Sequence, residues 1–248
     1  MQNYANNQRN SEGFVIEGTV LKSYKGNEQS VTLPDFITEI GEDAFKMSSN
    51  LTTVTIPGNV ITIGEGAFYG CAKLKSVIIS SGVERIEDYA FLACRALMTI
   101  NIPDSVTYVG NAAFQNCTSL KSVVLPKYIN GIELYTFTDC TSLTNVVVPN
   151  NISYIGHSAF QGCSSLKSIT VPYGTEIGAC AIPSTTKISY LGQESNILQP
   201  DESDNDLEDW EKLEMEHYAK AAESNFVSYA SEFPSYEDYE SWAESRDD

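Results

Sequence analysis

A single spacing constrains this chain more than any other feature. Phe45, Phe68, Phe91, Phe114, Phe137 and Phe160 recur every 23 residues without one insertion. Leu51, Leu74, Leu97, Leu120, Leu143 and Leu166 keep the same period, and so do Cys71, Cys94, Cys117, Cys140 and Cys163. A proline column, Pro34, Pro57, Pro103, Pro126, Pro149 and Pro172, runs in step and is broken only by Ser80. A fixed period of this length is the mark of an array of stacked units, each too small to bury its own apolar face.

One unit shows the logic. Leu51 to Ile56 alternates apolar and polar residues over its second half, which predicts a short half-buried strand with Val54 and Ile56 inward and Thr53 and Thr55 outward. Pro57 ends it, because proline cannot donate to a strand ladder. Val60 to Gly64 reads as a second extended piece turning at glycine. Ala67, Phe68 and Cys71 then place a small residue, a ring and a thiol on the buried side of a tight turn, helical or 3₁₀ in character. Stacking the next unit covers this face, puts Phe on Phe and Leu on Leu, and buries side chains worth about 1.5–3 kcal/mol each.

The pattern L-x-x-[VI]-x-[IVL]-P-x-x-[VI]-x-x-[IV]-G-x-x-A-F-x-x-C, over Val31 to Pro172, resembles the BspA-like, or Treponema pallidum type, leucine-rich repeat. The segment Phe14 to Tyr24 resembles the opening turn of such arrays. The resemblance implies a β-rich leucine-rich-repeat solenoid, with strands lining a concave face and Phe-bearing turns on the convex side. It also implies binding rather than catalysis, since relatives of this kind are often surface proteins that bind host or matrix components.

The register decays at both ends, as capping units require. Ser48 stands where Cys is expected; after Pro172, Ile177-Gly178 comes one residue early and Cys180-Ala181-Ile182 replaces the Phe turn. Thr186 to Leu191 reads as a last edge strand. The expected organisation is a lead-in and capping turn over 1–30, the solenoid over 31–192, a linker over 193–205 and an acidic aromatic tail, part helical, over 206–248.

Charge divides along the same lines. The formal net charge is −18; from Gln199 to Asp248, 17 acids and 3 bases give −14, leaving −4 for the other 198 residues. A tail of that sign repels phosphate backbones and anionic lipid, so neither nucleic acid nor anionic lipid is expected as a partner, and no apolar run approaches the roughly 18–20 residues that membrane insertion needs. Asp206 can cap a helix carrying Leu207, Trp210, Leu213 and Tyr218, and Phe233, Tyr236, Tyr239 and Trp242 fall three apart among acids. The tail reads as a cap folding back on the solenoid, as a solvated disordered segment, or as a recognition segment using Trp210, Phe233, Tyr236, Tyr239 and Trp242. The polar start, Met1 to Asn10, has no apolar core of a signal peptide, so a cytoplasmic location is expected, with surface display or secretion as the alternative.

Residues able to do chemistry do not converge. Five cysteines at one repeat position form a ladder rather than a tetrahedron, which suits buried thiols better than zinc, with adjacent-turn disulfides as the other reading and Cys180 as the exposed thiol. His157, expected on the surface, and His217 have no nucleophile or acid placed beside them. No cofactor, no metal and no enzyme activity are expected.

What remains is the outward strand face. Its first column is Thr53, Ser76, Thr99, Ser122, Asn145 and Ser168; its second is Thr55, Ile78, Asn101, Val124, Val147 and Thr170. Hydroxyls suit an exposed strand on propensity alone, whereas an aliphatic patch centred on Ile78, Asn101, Val124 and Val147 does not follow from solubility. A protein partner, or a glycan, would dock there. An adhesin exported without an evident signal and a regulator working through its acidic tail are the alternatives.

Overall fold

In the computed structural model the residues described are 13–191, together with 8–9. The chain divides into two units, Met1–Glu194 and Ser195–Asp248, and the described residues all belong to the first. The linker and tail expected over 193–248 lie outside the described residues.

The array is a stacked series of short parallel strands on two sides, closed by turns on the third. The first sheet runs Ser30–Thr32, Thr53–Ile56, Ser76–Ile79, Thr99–Asn101, Ser122–Val124, Asn145–Val147 in spatial order. Its register is the sequence period itself, with Thr53 beside Ser76, Ser76 beside Thr99, Thr99 beside Ser122 and Ser122 beside Asn145. Ser168–Pro172 lies against the last of these strands but pairs with Lys187–Leu191, the edge strand. The second side carries two-residue strands, Glu39–Ile40, Thr62–Ile63, Arg85–Ile86 and Tyr108–Val109, and after a break Gly131–Ile132, Tyr154–Ile155 and Glu176–Ile177. The break falls at the one glycine in that column; the Tyr154 ring folds over Gly131, so close that a Cβ there would collide with it.

At the N-terminal end Phe14–Glu17 and Val20–Tyr24 form an antiparallel hairpin, and its second strand pairs in parallel with Glu39–Ile40. Phe14 and Tyr24 extend the phenylalanine stack, with Tyr24 5.0 Å from Phe45, so an aromatic face closes that end. At the other end Ala181, buried, accepts from the Phe160 amide at 2.8 Å, doing for the last unit what a residue of the next Phe turn does elsewhere.

The core is one continuous column. All six phenylalanines are fully buried and stack nearly parallel, with centroids 4.8–5.5 Å apart. Paired strands sit about 4.7–4.9 Å apart, a repeat close to that of the stacked rings, so each ring meets the ring of the next unit as each strand meets the next strand. The Phe-bearing segments are turns, and no helix occurs among the described residues. Helix is prevented locally, because two positions per unit take left-handed backbone. One column is Asp43, Gly66, Tyr89, Ala112, Tyr135 and Ser158; the other is Met47, Gly70, Ala93, Asn116, Asp139 and Gly162.

The cysteine column completes the turn. Each buried thiol donates to the carbonyl of a phenylalanine 26 residues earlier, Cys71 to Phe45 at 3.1 Å and Cys117 to Phe91 at 3.3 Å. That carbonyl already accepts an amide of its own turn, so the thiol uses its second lone pair. All six cysteines are free; five are buried and Cys180 is exposed.

Candidate binding face

The outward columns lie where the strand period puts them. Val54, Val77, Ile100, Val123 and Val146 point inward and are buried. Thr53, Ser76, Thr99, Ser122 and Asn145 stand side by side across the first sheet, as do Thr55, Ile78, Asn101, Val124 and Val147. Ser168 and Thr170 are exposed too, but their ladder is the separate pair with Lys187–Leu191. Ten of the twelve candidate residues therefore share one unbroken ladder. Trp210, Phe233, Tyr236, Tyr239 and Trp242 lie outside the described residues.

Two properties set this face apart. Ile78, Val124 and Val147 are 53%, 54% and 48% exposed, high for aliphatic side chains in one row, with Asn101 between Ile78 and Val124. The hydroxyls of Thr53, Ser76, Thr99 and Ser122 make no intramolecular hydrogen bond among the described residues, whereas those of Thr52, Thr118, Thr141 and Thr144 on the flank back-bond to the carbonyl one unit earlier. The flank is thus tied to the solenoid, and the face keeps donors and acceptors for water or a ligand. One exposed residue beside it is absent from the columns singled out by sequence: Met98, 44% exposed, in the column just before the strands. The same 23-residue spacing would have found it had that column been written out.

The opposite flank is acidic and aromatic, and several of its groups hydrogen-bond one another. Asp88 accepts from the Asn111 amide at 2.8 Å and from the Tyr108 hydroxyl at 3.3 Å, and Tyr154 donates to Glu133. Arg85 pairs with Glu87 at 2.6 Å and lies over the Tyr108 ring. Burial, and then the nearby acids Glu42, Asp88, Asp43 and Glu87, push the Glu65 carboxyl above its ordinary value. Burial also holds Glu133 up, against the Tyr154 hydrogen bond. His157, expected on the surface, is half-buried, its ring edge-on to Tyr135 at 5.6 Å, because the turn that carries it packs against the preceding turn. Burial pushes the Cys71, Cys117 and Cys163 thiols up to about 12. Among the described residues no three His, Cys, Asp or Glu converge as metal ligands, and no helix is long and apolar enough to cross a membrane.

A stack of 23-residue units, each giving one strand to a common face and one phenylalanine to a common core, defines a leucine-rich-repeat solenoid. The sequence matches the BspA type leucine rich repeat region in six copies, over residues 22–140 and 84–202, and the chain belongs to that family. Among solved structures, a leucine-rich repeat protein from Bacteroides ovatus is 33% identical with a TM-score of 0.62, over 67% of this chain and 43% of that one. The T. pallidum leucine-rich repeat protein is 30% identical with a TM-score of 0.59, over 68% of this chain and 77% of its own. A leucine-rich repeat protein from Eubacterium ventriosum is 27% identical with a TM-score of 0.64, over 77% of this chain and 54% of its own. This chain thus spans under half of the Bacteroides ovatus protein. No curated protein matches. Solenoids of this family are commonly protein-interaction modules.

Proposed function

We propose that this chain is a non-enzymatic binding module that docks a protein partner on its strand face. The row Ile78, Asn101, Val124 and Val147 carries the reading, since it is exposed, mildly apolar and in register on adjacent strands. Buried in a complex, such side chains give affinity, while the hydroxyl column and Asn101 fix register by hydrogen bonding. Aliphatic side chains favour a polypeptide over a glycan, which would call for flat aromatic rings among these columns.

The test is capture of partners by full-length protein and by two strand-face variants, Val124→Asp and Asn101→Arg. Both positions are exposed, so the variants keep the parent's melting temperature. A partner held by the parent and lost by both supports the reading. A partner held equally by all three contradicts it, and a further comparison with residues 1–198 would then ask whether the tail holds it.

A further inference from the structure

Among the described residues the strand side of the solenoid carries more cations than acids, and most of the acids sit on the other pieces. In the six Ser/Cys-to-Pro pieces from Ser48–Pro57 to Cys163–Pro172 (with Ser80 in the proline position of the second), there are five basic residues and no acid, and the piece before them, 25–34, with the strand Ser30–Thr32, adds Lys25 and Glu28, which cancel. The five are Lys73, Lys75, Arg95, Lys121 and Lys167, all exposed. The five intervening pieces between Gly58 and Gly162 hold seven acids and only Arg85 and Lys127. Net charge over Ser48–Gly162 and its last strand thus separates into +5 on the strand side and −5 on the other, from 7 acids less 2 bases.

Pairing follows the same division. Lys46 and Arg85, outside the strand pieces, each hold a carboxylate, Asp43 at 2.9 Å and Glu87 at 2.6 Å. Among the described residues Lys73 and Lys167 reach only neutral oxygens, of Asn50 at 3.3 Å and Ser164 at 3.0 Å. Lys75 and Lys121 make no ion pair among the described residues.

Placement gives this charge a direction. Lys75, Met98, Lys121, Thr144 and Lys167 occupy one column, so their lysines fall on alternate units, Lys75 and Lys121 about 9–10 Å apart at two strand spacings and Lys167 beyond the end of that ladder. Three residues along each strand lies the aliphatic row of Ile78, Val124 and Val147. A ligand lying across the strands thus meets cations along one edge and aliphatic side chains along the other.

Resting on the binding role of this face, we infer that its partner is an acidic polypeptide segment, with Asp or Glu facing Lys75, Lys121 and Lys167 and apolar side chains seated on Ile78, Val124 and Val147. Charge complementarity supplies encounter rate and rejects basic partners; the apolar row holds the complex. The aliphatic half favours a polypeptide over a sulfated glycan, which would use the lysines alone.

Fluorescence anisotropy on the full chain tests this with short labelled synthetic peptides. One is rich in Glu, Leu and Tyr; one replaces Glu by Lys; one replaces Leu and Tyr by Ser; a heparin fragment is the fourth probe. The first should bind, weaken with added salt, and lose about tenfold or more in the Lys75→Glu, Lys121→Glu, Lys167→Glu triple variant. That variant should gain the basic peptide while keeping the parent's melting temperature, a pair of outcomes a misfolded protein would not give. Equal binding of acidic and basic peptides, or indifference to the triple reversal, would overturn the inference. Tighter binding of heparin than of the acidic peptide would overturn it in favour of a glycan. Refusal of the acidic peptide until the acids of 199–248 are replaced by amides would put this chain's own segment in the partner's place, overturning it as well. A natural partner lost by Val124→Asp yet untouched by the triple reversal would leave the binding role standing and remove only the acidic partner.

Discussion

At the scale of single residues, the Phe-bearing turn is built from side chains doing unlike jobs at fixed positions. The buried cysteine is a small hydrophobe and a donor to the neighbouring turn's carbonyl, with its thiol held protonated by burial. Cys117→Ala should therefore destabilise by about 1–2 kcal/mol, from a lost hydrogen bond and a small void, as read by denaturant unfolding. The same burial predicts that a thiol reagent labels one cysteine per native chain, Cys180, and all six after denaturation; rapid native labelling of more than one would contradict the ladder. Left-handed backbone is the other residue-scale constraint. Gly70 adopts φ +68° without cost, but Ala93 holds φ +57° in the same column. Ala93→Gly should accordingly stabilise by about 1 kcal/mol, measured as a rise in melting temperature.

At the scale of elements, the second side and its turns carry carboxylates whose burial is incompletely offset. Glu65 has its folded value raised above its ordinary 4.5 by burial and by four neighbouring acids. A folded state that holds the proton more tightly gains stability from it below the ordinary value and loses that contribution as pH rises through the folded value. Glu65→Gln should therefore melt above the parent at neutral pH, with the difference closing as pH falls toward 4.5; a constant difference across that range would argue against the repulsion. Much of this architecture was legible in the sequence because columns repeat. Phe, Leu, Cys and Pro each recur at least five times, so strand, core and turn were placed together, including the edge strand Lys187–Leu191. The left-handed positions were not legible, because Asp43, Tyr89, Ala112 and Ser158 share a backbone conformation and no chemistry. His157 was misplaced for a related reason: its column holds Glu65 and Asn111, and only packing of successive turns decides exposure. The strand-face columns were legible, and the lysine column beside them lies at the same 23-residue spacing, but it gains meaning only once the strands bring alternate units side by side.

At the scale of the molecule, units touch their neighbours and little else, so the array should behave as a sum of units and interfaces. Deleting residues 94–116, one whole period, joins Ala93 to Cys117 in register and should leave a folded, shorter solenoid with a lower melting temperature. Deleting 94–104, about half a period, misaligns every later column and should abolish cooperative unfolding. Among the described residues the strand face is a surface to which successive units contribute outward side chains in register, and the proposed role rests on it. The most direct measurement is hydrogen exchange of the full chain with and without its captured partner. Docking on the strand face predicts that partner binding slows exchange in the pieces around Ser76–Ile79, Thr99–Asn101, Ser122–Val124 and Asn145–Val147, and leaves the Phe-bearing turns unchanged. Protection confined to those turns or to 199–248, with the strand pieces unaffected, would contradict it.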